Sequence, residues 1–173
     1  LPTTPWFMMI TPGACHAPHQ APKDLVDKYQ SVFSKGWDTT REDRLARQIK
    51  LGITPKGTEL PSRNDRVQPW MAHSEEEQQV FGRLAGAYAG MLEHTDTHLG
   101  RLVNFLNEAN IVENTMILVL SDNGASQEGG PNGFLNAMGP FNGRRESMEE
   151  KFQKIEEIGG PKSHSNFPWG WAM

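Results

Sequence analysis

Hydrophobic residues along the chain form two kinds of pattern: short continuous runs and one long stripe at helical spacing. The first run is Trp6-Phe7-Met8-Met9-Ile10 and the second is Met116-Ile117-Leu118-Val119-Leu120. Continuous apolar runs of this length, bounded by turn residues, are typical of strands buried on both faces of a sheet. Thr11-Pro12-Gly13 ends the first run, and Ser121-Asp122-Asn123-Gly124 ends the second. We therefore predict two buried strands.

The helical stripe lies between the predicted strands and indicates a long helix over about 75–110. Ser74 is its predicted N-cap, and Glu77 three positions later completes a capping box. Apolar residues then recur every three or four positions, which predicts a core-facing side. They are Phe81, Leu84, Tyr88, Met91, Leu92, Leu99, Leu102, Val103 and Leu106. Further predicted elements are short helices over 24–29 and 41–51, a proline-rich charged loop over 53–73 and a charged helix over 146–158.

The order of these elements, a strand, several helices and a second strand, indicates the fold class. Two strands of one sheet joined by a helical crossover lie parallel, and the crossover is right-handed. We predict an α/β fold with a mostly parallel central sheet flanked by helices. The 173 residues have the length of one domain.

Composition and charge exclude several classes of partner. A formal net charge of −4 leaves no basic face that suggests nucleic acid. No apolar stretch approaches the ~20 residues that a membrane-spanning helix needs. Cys15 is the single cysteine, so an internal disulfide is excluded.

Polar residues follow each predicted strand and form the candidate site. His16 comes after the first run, and Asp122 and Asn123 come directly after the second. The carboxyl ends of parallel strands meet at one sheet edge, where carboxylate and amide oxygens suit Ca²⁺ or Mg²⁺. A histidine beside such a cation is a hydrolytic arrangement. The alternative is that Asp122 and Asn123 cap turn N–H groups and that His16 is a turn residue. His19 is assigned to the pocket rim as a substrate-binding residue.

His94 and His98 are one helical turn apart, a spacing that can bind a metal ion. No set of cysteines or glutamates accompanies them. The sequence therefore favours ordinary packing or solvent contact for this pair.

Several segments together resemble one enzyme family. The turn over 14–22 is similar to an Ala-Pro-His-x-Pro-x-Gln-Ala-Pro turn of bacterial arylsulfatases, in the alkaline-phosphatase-like superfamily. Aligning Gln20-Ala21-Pro22 places the family's catalytic histidine on His16 and not on His19. Other similar segments are Gly36-Trp37-Asp38, Arg41-Glu42-x-Arg44, Tyr88-Ala89-x-Met91, His94-x-Asp96-x-x-x-Gly100-Arg101-Leu102 and Leu120-Ser121-Asp122-Asn123-Gly124. Their order and spacing make the resemblance specific.

The resemblance implies a mechanism and a set of roles. Sulfatases attack the sulfur of a small sulfate ester with a hydrated formylglycine, and a Ca²⁺ or Mg²⁺ ion holds the sulfate oxygens. Asp122 and Asn123 would be ligands of that ion, and His16 would assist elimination of sulfate. An amide at Asn123 fits one hard cation, whereas two-metal phosphatases of the superfamily place a histidine there.

The sequence also departs from the family pattern. It has no Cys-x-Pro-Ser-Arg motif for the formylglycine, no amino-terminal aspartate pair and no sulfate-binding lysine at the expected place. We therefore interpret residues 1–173 as an internal part of a sulfatase catalytic domain that is inactive alone. A related phosphomonoester or phosphonate hydrolase, and a non-catalytic binding protein on the same fold, are the alternatives. The compartment, bacterial cytoplasm or periplasm, stays open, because any leader would precede Leu1.

Overall fold

The computed structural model describes residues 4–173, and helices dominate this part of the chain. The α-helices are α1 (Lys23–Phe33), α2 (Gly36–Lys50), α3 (Glu75–Glu108) and α4 (Met148–Gln153). Single 3-10 turns lie at Trp70–Ala72, Val112–Asn114, Pro140–Asn142, Ile155–Glu157 and Trp169–Ala172. No helix in residues 4–173 has the length and apolar character that crossing a membrane requires.

Helix α3 begins with the predicted capping box. The Ser74 hydroxyl accepts a hydrogen bond from the Glu77 amide at 3.2 Å, and the Glu77 carboxylate accepts one from the Ser74 amide at 2.9 Å. Two of the free amides at the start of the helix are thereby satisfied. The prediction of a long helix over about 75–110 is confirmed, with its end at Glu108.

Helix α1 packs closely against the first half of α3 because glycines lie between the two backbones. Gly82, Gly86 and Gly90 recur every fourth residue, on one face of α3. A Cβ atom at Gly86 would lie 2.8 Å from the Val26 carbonyl oxygen and 2.9 Å from the Gln30 nitrogen. The glycine spacing is therefore the sequence signal for this helix–helix contact.

An aromatic cluster joins α2, α3, the loop before α3 and the C-terminal tail. Trp37 is buried and meets Trp70 edge-to-face, with ring centroids 4.8 Å apart. The Trp171 indole donates to the Phe81 carbonyl at 3.0 Å. Edge-to-face aromatic pairs add stabilisation beyond the area that they bury. The cluster therefore fixes the first half of α3 against chain segments on both sides of it in sequence.

The predicted central sheet is not confirmed. Within residues 4–173 neither the first apolar run (6–10) nor the second apolar run (116–120) forms a strand, and the side chains of both are exposed, Val119 at 86%. The only pairings described are two isolated bridges elsewhere, Phe134 with Asn166 and Asn136 with His164. A strand needs a neighbour that takes its backbone hydrogen bonds, and these residues provide none for either run.

The bounds of three predicted helices also differ from the structure. The helix predicted over 24–29 is longer and spans Lys23–Phe33. Helix α2 begins at Gly36 and not at Arg41, because the Trp37 side chain anchors the first turn in the core. Gly36 has a φ of 84°, and a Cβ atom there would overlap the Trp70 ring. The charged helix predicted over 146–158 is shorter; α4 ends at Gln153 and a 3-10 turn follows.

Candidate active site

His16 lies in an exposed turn that follows the first apolar run. Its amide donates to the Gly13 carbonyl at 2.9 Å, which closes the turn. Its ring Nδ1 lies 2.7 Å from the Ala17 carbonyl oxygen. Because a carbonyl only accepts, Nδ1 carries the proton and Nε2 keeps a free lone pair. This hydrogen bond therefore fixes the orientation of an exposed ring.

Asp122 and Asn123 lie in an exposed bend that follows the second apolar run. The Ser121 hydroxyl donates to the Asn123 carbonyl at 2.7 Å, and the Asn123 side-chain amide donates to the Gly124 carbonyl at 2.8 Å. In residues 4–173 no donor engages the Asp122 carboxylate or the Asn123 Oδ1 atom. Two oxygen-bearing groups are therefore available at this bend.

These residues do not form a complete metal site by themselves. The described residues include no group of three or more histidine, cysteine, aspartate or glutamate side chains placed to hold an ion. Ca²⁺ takes 6–8 oxygen ligands, and Asp122 and Asn123 supply two groups. Within the same part of the chain no hydrogen bond or ion pair joins His16 to this bend. The predicted site residues therefore lie on two separate exposed segments.

His19, which the sequence assigned to the pocket rim, is buried. It is 2% exposed, and its ring stacks on Phe167 with centroids 5.1 Å apart. The Tyr88 ring meets it edge-on at 5.2 Å. Burial, the largest cause, lowers the pKa of His19 to about 4, so the ring is neutral at pH 7. A role for His19 in binding substrate stays a prediction, and the structure places the ring between aromatic residues.

The turn that carries His16 also contacts α3 through Tyr88. Burial raises the pKa of the Tyr88 hydroxyl to about 12, with a smaller contribution from the adjacent Cys15 thiol. Tyr88 therefore stays protonated at physiological pH. Its ring packs against Phe167 as well as His19, with centroids 5.0 Å apart in the first pair. One aromatic residue of α3 thus contacts both the turn and the C-terminal tail.

Lys151, which lies in the predicted charged helix, is buried at 3% exposure. Its ammonium group donates to the carbonyls of Asn132 at 3.0 Å and Gly133 at 2.7 Å. Burial lowers the pKa of Lys151. The side chain holds the glycine-rich loop that follows the Asp122 bend. Since its partners are backbone carbonyls, the only signal for this contact was the Gly129-Gly130-Pro131-Asn132-Gly133 composition of the loop.

His94 and His98 are both exposed on α3 and are hydrogen-bonded to each other. Their Nε2 atoms are 3.3 Å apart, and Arg101 Nη1 lies 3.1 Å from His98 Nδ1. Arginine only donates, so His98 Nδ1 is an acceptor and His98 Nε2–H donates to His94. This chain of hydrogen bonds satisfies the pair without a metal ion.

Comparisons with known proteins identify the family to which these segments belong. The sulfatase family model matches residues 1–155. An uncharacterized sulfatase of Schizosaccharomyces pombe is 34% identical over 122 residues, which are 69% of this chain and 22% of that protein. An arylsulfatase of Klebsiella aerogenes is 30% identical over 122 residues, which are 70% of this chain and 26% of that protein.

The chain belongs to the sulfatase family, as its motifs predicted. It spans about a quarter of the length of the two curated relatives that it matches. The family implies an alkaline-phosphatase-like fold.

Proposed function

We propose that the protein containing this chain hydrolyses sulfate esters, and that residues 1–173 are an internal part of its catalytic domain. The match of the sulfatase family model to residues 1–155 carries the proposal. The relative named as an arylsulfatase supports an aryl sulfate or a similar small ester as substrate.

The two apolar runs are, in this proposal, parallel strands of the central sheet. Their exposed side chains and unpaired backbone require neighbours, which other parts of the protein would supply. His16 follows one run and Asp122 follows the other. Pairing in a parallel sheet would bring both to the carboxyl-end edge, where α/β enzymes place their sites.

His16 is the proposed acid–base residue. Its ring is fixed by the bond from Nδ1 to the Ala17 carbonyl, and Nε2 is free to exchange a proton with a reacting group. The resemblance assigns this histidine to the step that eliminates sulfate. The nucleophile, proposed to be a formylglycine, would come from outside this sequence.

Asp122 and Asn123 are the proposed metal ligands, for Ca²⁺ or Mg²⁺. Their free oxygens are the hard donors that these ions prefer. The remaining ligands would come from other parts of the protein, since the described residues bring no third group to the bend. Asn123 also favours a sulfatase over the phosphomonoester and phosphonate hydrolases of the superfamily, because an amide oxygen suits a single hard cation.

The proposal is tested by sulfate release from the whole protein. Wild type is expected to hydrolyse 4-nitrophenyl sulfate faster than 4-nitrophenyl phosphate. We expect His16→Ala to lower kcat by roughly 100-fold or more, a typical loss for a general acid or base. We expect Asp122→Ala to lose one equivalent of bound Ca²⁺ or Mg²⁺.

Matched controls are His98→Ala and Asp65→Ala, which remove an exposed histidine and an exposed aspartate elsewhere. Both should keep wild-type activity and metal content. Preferential hydrolysis of the phosphate ester would support the phosphatase alternative. Absence of hydrolysis of both esters would support the non-catalytic binding alternative.

A further inference from the structure

The tail segment 163–167 lies between the two segments that carry the proposed site residues, and we call it the brace. It is extended, so successive residues present their backbone groups to opposite edges. On one edge the His19 amide donates to the Ser165 carbonyl at 2.9 Å. The Ser165 hydroxyl donates to the His19 carbonyl at 2.6 Å, and the Gln20 side chain donates to the Ser163 carbonyl at 2.6 Å. This edge holds the turn that carries His16.

The opposite edge of the brace holds the chain that follows the Asp122 bend. Asn166 exchanges backbone hydrogen bonds with Phe134, at 2.9 and 3.0 Å. The His164 amide donates to the Leu135 carbonyl at 2.9 Å, and the His164 carbonyl accepts from Ala137 at 2.8 Å. Residues 164 and 166 thus bond one neighbour, while 163 and 165 bond the other. The brace therefore lies between the two segments and is hydrogen-bonded to both.

Trp169, just after the brace, contacts the chain nearer to the bend. Its amide donates to the Gly130 carbonyl at 2.8 Å, and its indole donates to the Gln127 carbonyl at 2.5 Å. Gln127 is four residues beyond Asn123. A Cβ atom at Gly129 would overlap the Phe167 carbonyl oxygen, so the two backbones touch there. Phe167 also stacks on His19, three residues beyond His16.

We propose that the brace and Trp169 set the position of His16 relative to Asp122 and Asn123 for reaction, with Ser165 and Trp169 as positioning residues. The inference rests on the proposed function for its catalytic consequence. Upstream of each site segment the chain is an exposed apolar run. In residues 4–173 the hydrogen bonds that anchor both segments to the rest of the molecule therefore lie on their downstream sides, and the brace is bonded to both segments. Lys151 and Glu146 also hold the second segment, and Gly159 accepts a hydrogen bond from Ala21 of the first.

The test uses two variants of the whole protein, one for each edge. Ser165→Ala removes the hydroxyl bond to the His19 carbonyl, and Trp169→Phe removes the indole bond to Gln127 while keeping an aromatic ring. Each is expected to lower kcat roughly tenfold with KM and bound metal unchanged, because small misplacements of reacting groups cost rate. The exchange rate of backbone amides should rise over 13–21 in the first variant and over 122–130 in the second.

The controls lose the same kinds of bond at places that do not touch the site segments. The Ser34 hydroxyl bonds the Ser31 carbonyl at the end of α1, and the Trp171 indole bonds Phe81 in the core. Ser34→Ala and Trp171→Phe should keep kcat within about twofold even if their melting temperatures fall as far as those of the two brace variants. If kcat falls in proportion to melting temperature in all four variants, the loss of rate reflects stability alone. That result would overturn the positioning role of the brace.

Amide exchange separates failure of the brace from failure of the proposed function. If the wild-type protein hydrolyses no sulfate ester, the proposed function is wrong. Amide exchange over 13–21 and 122–130 in the two brace variants still decides whether the brace holds both segments. Unchanged exchange at both places in Ser165→Ala and Trp169→Phe would overturn the brace whatever the activity.

Discussion

The two halves of α3 lie in different environments although they belong to one continuous helix. In the first half, residues 80–87 are buried without interruption, between α1, the aromatic cluster and the C-terminal tail. In the second half Leu92 is 47% and Phe105 61% exposed, and Leu106 is the one buried residue after Gly90. Both halves carry the same apolar spacing. The spacing therefore shows which face is apolar, and the environment decides whether that face is covered.

The contrast between covered and uncovered apolar side chains also separates the packed core from the segments that carry the proposed site residues. The first half of α3, which we call the packed half, has its packing partners within residues 4–173. The second half, beyond Gly90, is the open half. The open half and both apolar runs are exposed, and a groove of about 240 Å³ lies between Ile10 and the Leu99 and Leu102 side chains of α3. His16 and Asp122 follow those runs. The proposed site residues thus follow segments whose apolar side chains are uncovered in residues 4–173.

The largest expected effect concerns association of the isolated 173-residue chain. Exposed apolar segments with unpaired backbone promote association, so sedimentation should show oligomers at micromolar concentration. Replacing Leu118 and Val119 with lysine should shift the chain toward monomer without changing its tryptophan fluorescence. Leu51→Lys, at an exposed leucine outside both apolar runs, should leave the oligomers unchanged. If the wild-type chain is monomeric and unfolds in a sharp transition that does not depend on concentration, the exposed apolar runs do not cause association, and this prediction is wrong.

Two phenylalanines on α3 compare the packed and open halves directly. Phe81 is 0% exposed and Phe105 is 61% exposed. Phe81→Ala should lower the free energy of unfolding by about 3–5 kcal/mol, the usual cost of emptying a buried phenylalanine site. Phe105→Ala should cost less than about 1 kcal/mol. Urea unfolding of dilute protein measures both, and equal losses would mean that the halves do not differ in packing.

The buried His19 ring predicts a pH dependence of stability. Its pKa in the folded state is about 4, below the value of 6.5 for a free histidine. The unfolded chain therefore takes up this proton first, and stability that is complete above pH 6.5 falls as the pH drops toward 4. The loss should reach about 3 kcal/mol, at 1.36 kcal/mol for each pH unit.

The variant His19→Phe keeps a flat ring and removes the titrating group. The difference in unfolding free energy between wild type and this variant should change between pH 6.5 and 4, whereas His98→Phe, at an exposed position, should behave as wild type does. A difference that is constant over this range would show that His19 titrates normally in the folded protein.

Two glycines of α3 give the smallest expected effects, and these have opposite signs. Gly86→Ala places a methyl group against the backbone of α1 and should destabilise by about 1–3 kcal/mol, as overpacking does. Gly100 has nothing within 4 Å of an added Cβ. Gly100→Ala should therefore stabilise by up to about 1 kcal/mol through helix propensity. Thermal unfolding measures both, and a destabilising Gly100→Ala would mean that the open half is covered.

Local signals in the sequence were sufficient for some elements. The Ser74–Glu77 capping box and the apolar spacing predicted α3, since each depends on residues a few positions apart. The apolar runs predicted strands, but a strand buried on both faces needs neighbours, and residues 4–173 provide none for either run. The sequence did not predict the burial of Lys151 or the two bonded edges of the brace. Most of these hydrogen bonds are made with backbone groups, and because every residue has a carbonyl they leave no signal in the sequence.

Hydrogen exchange of the amides over 116–120 tests whether this run pairs in a sheet. These amides are expected to exchange rapidly in the isolated 173-residue chain. In the whole protein they should be strongly protected, because the run becomes a strand of the sheet that presents Asp122 and Asn123. Amides over 6–10 should behave in the same way. Rapid exchange over both runs in the whole protein would contradict the proposed sheet. His16 and Asp122 would then not be brought to one sheet edge.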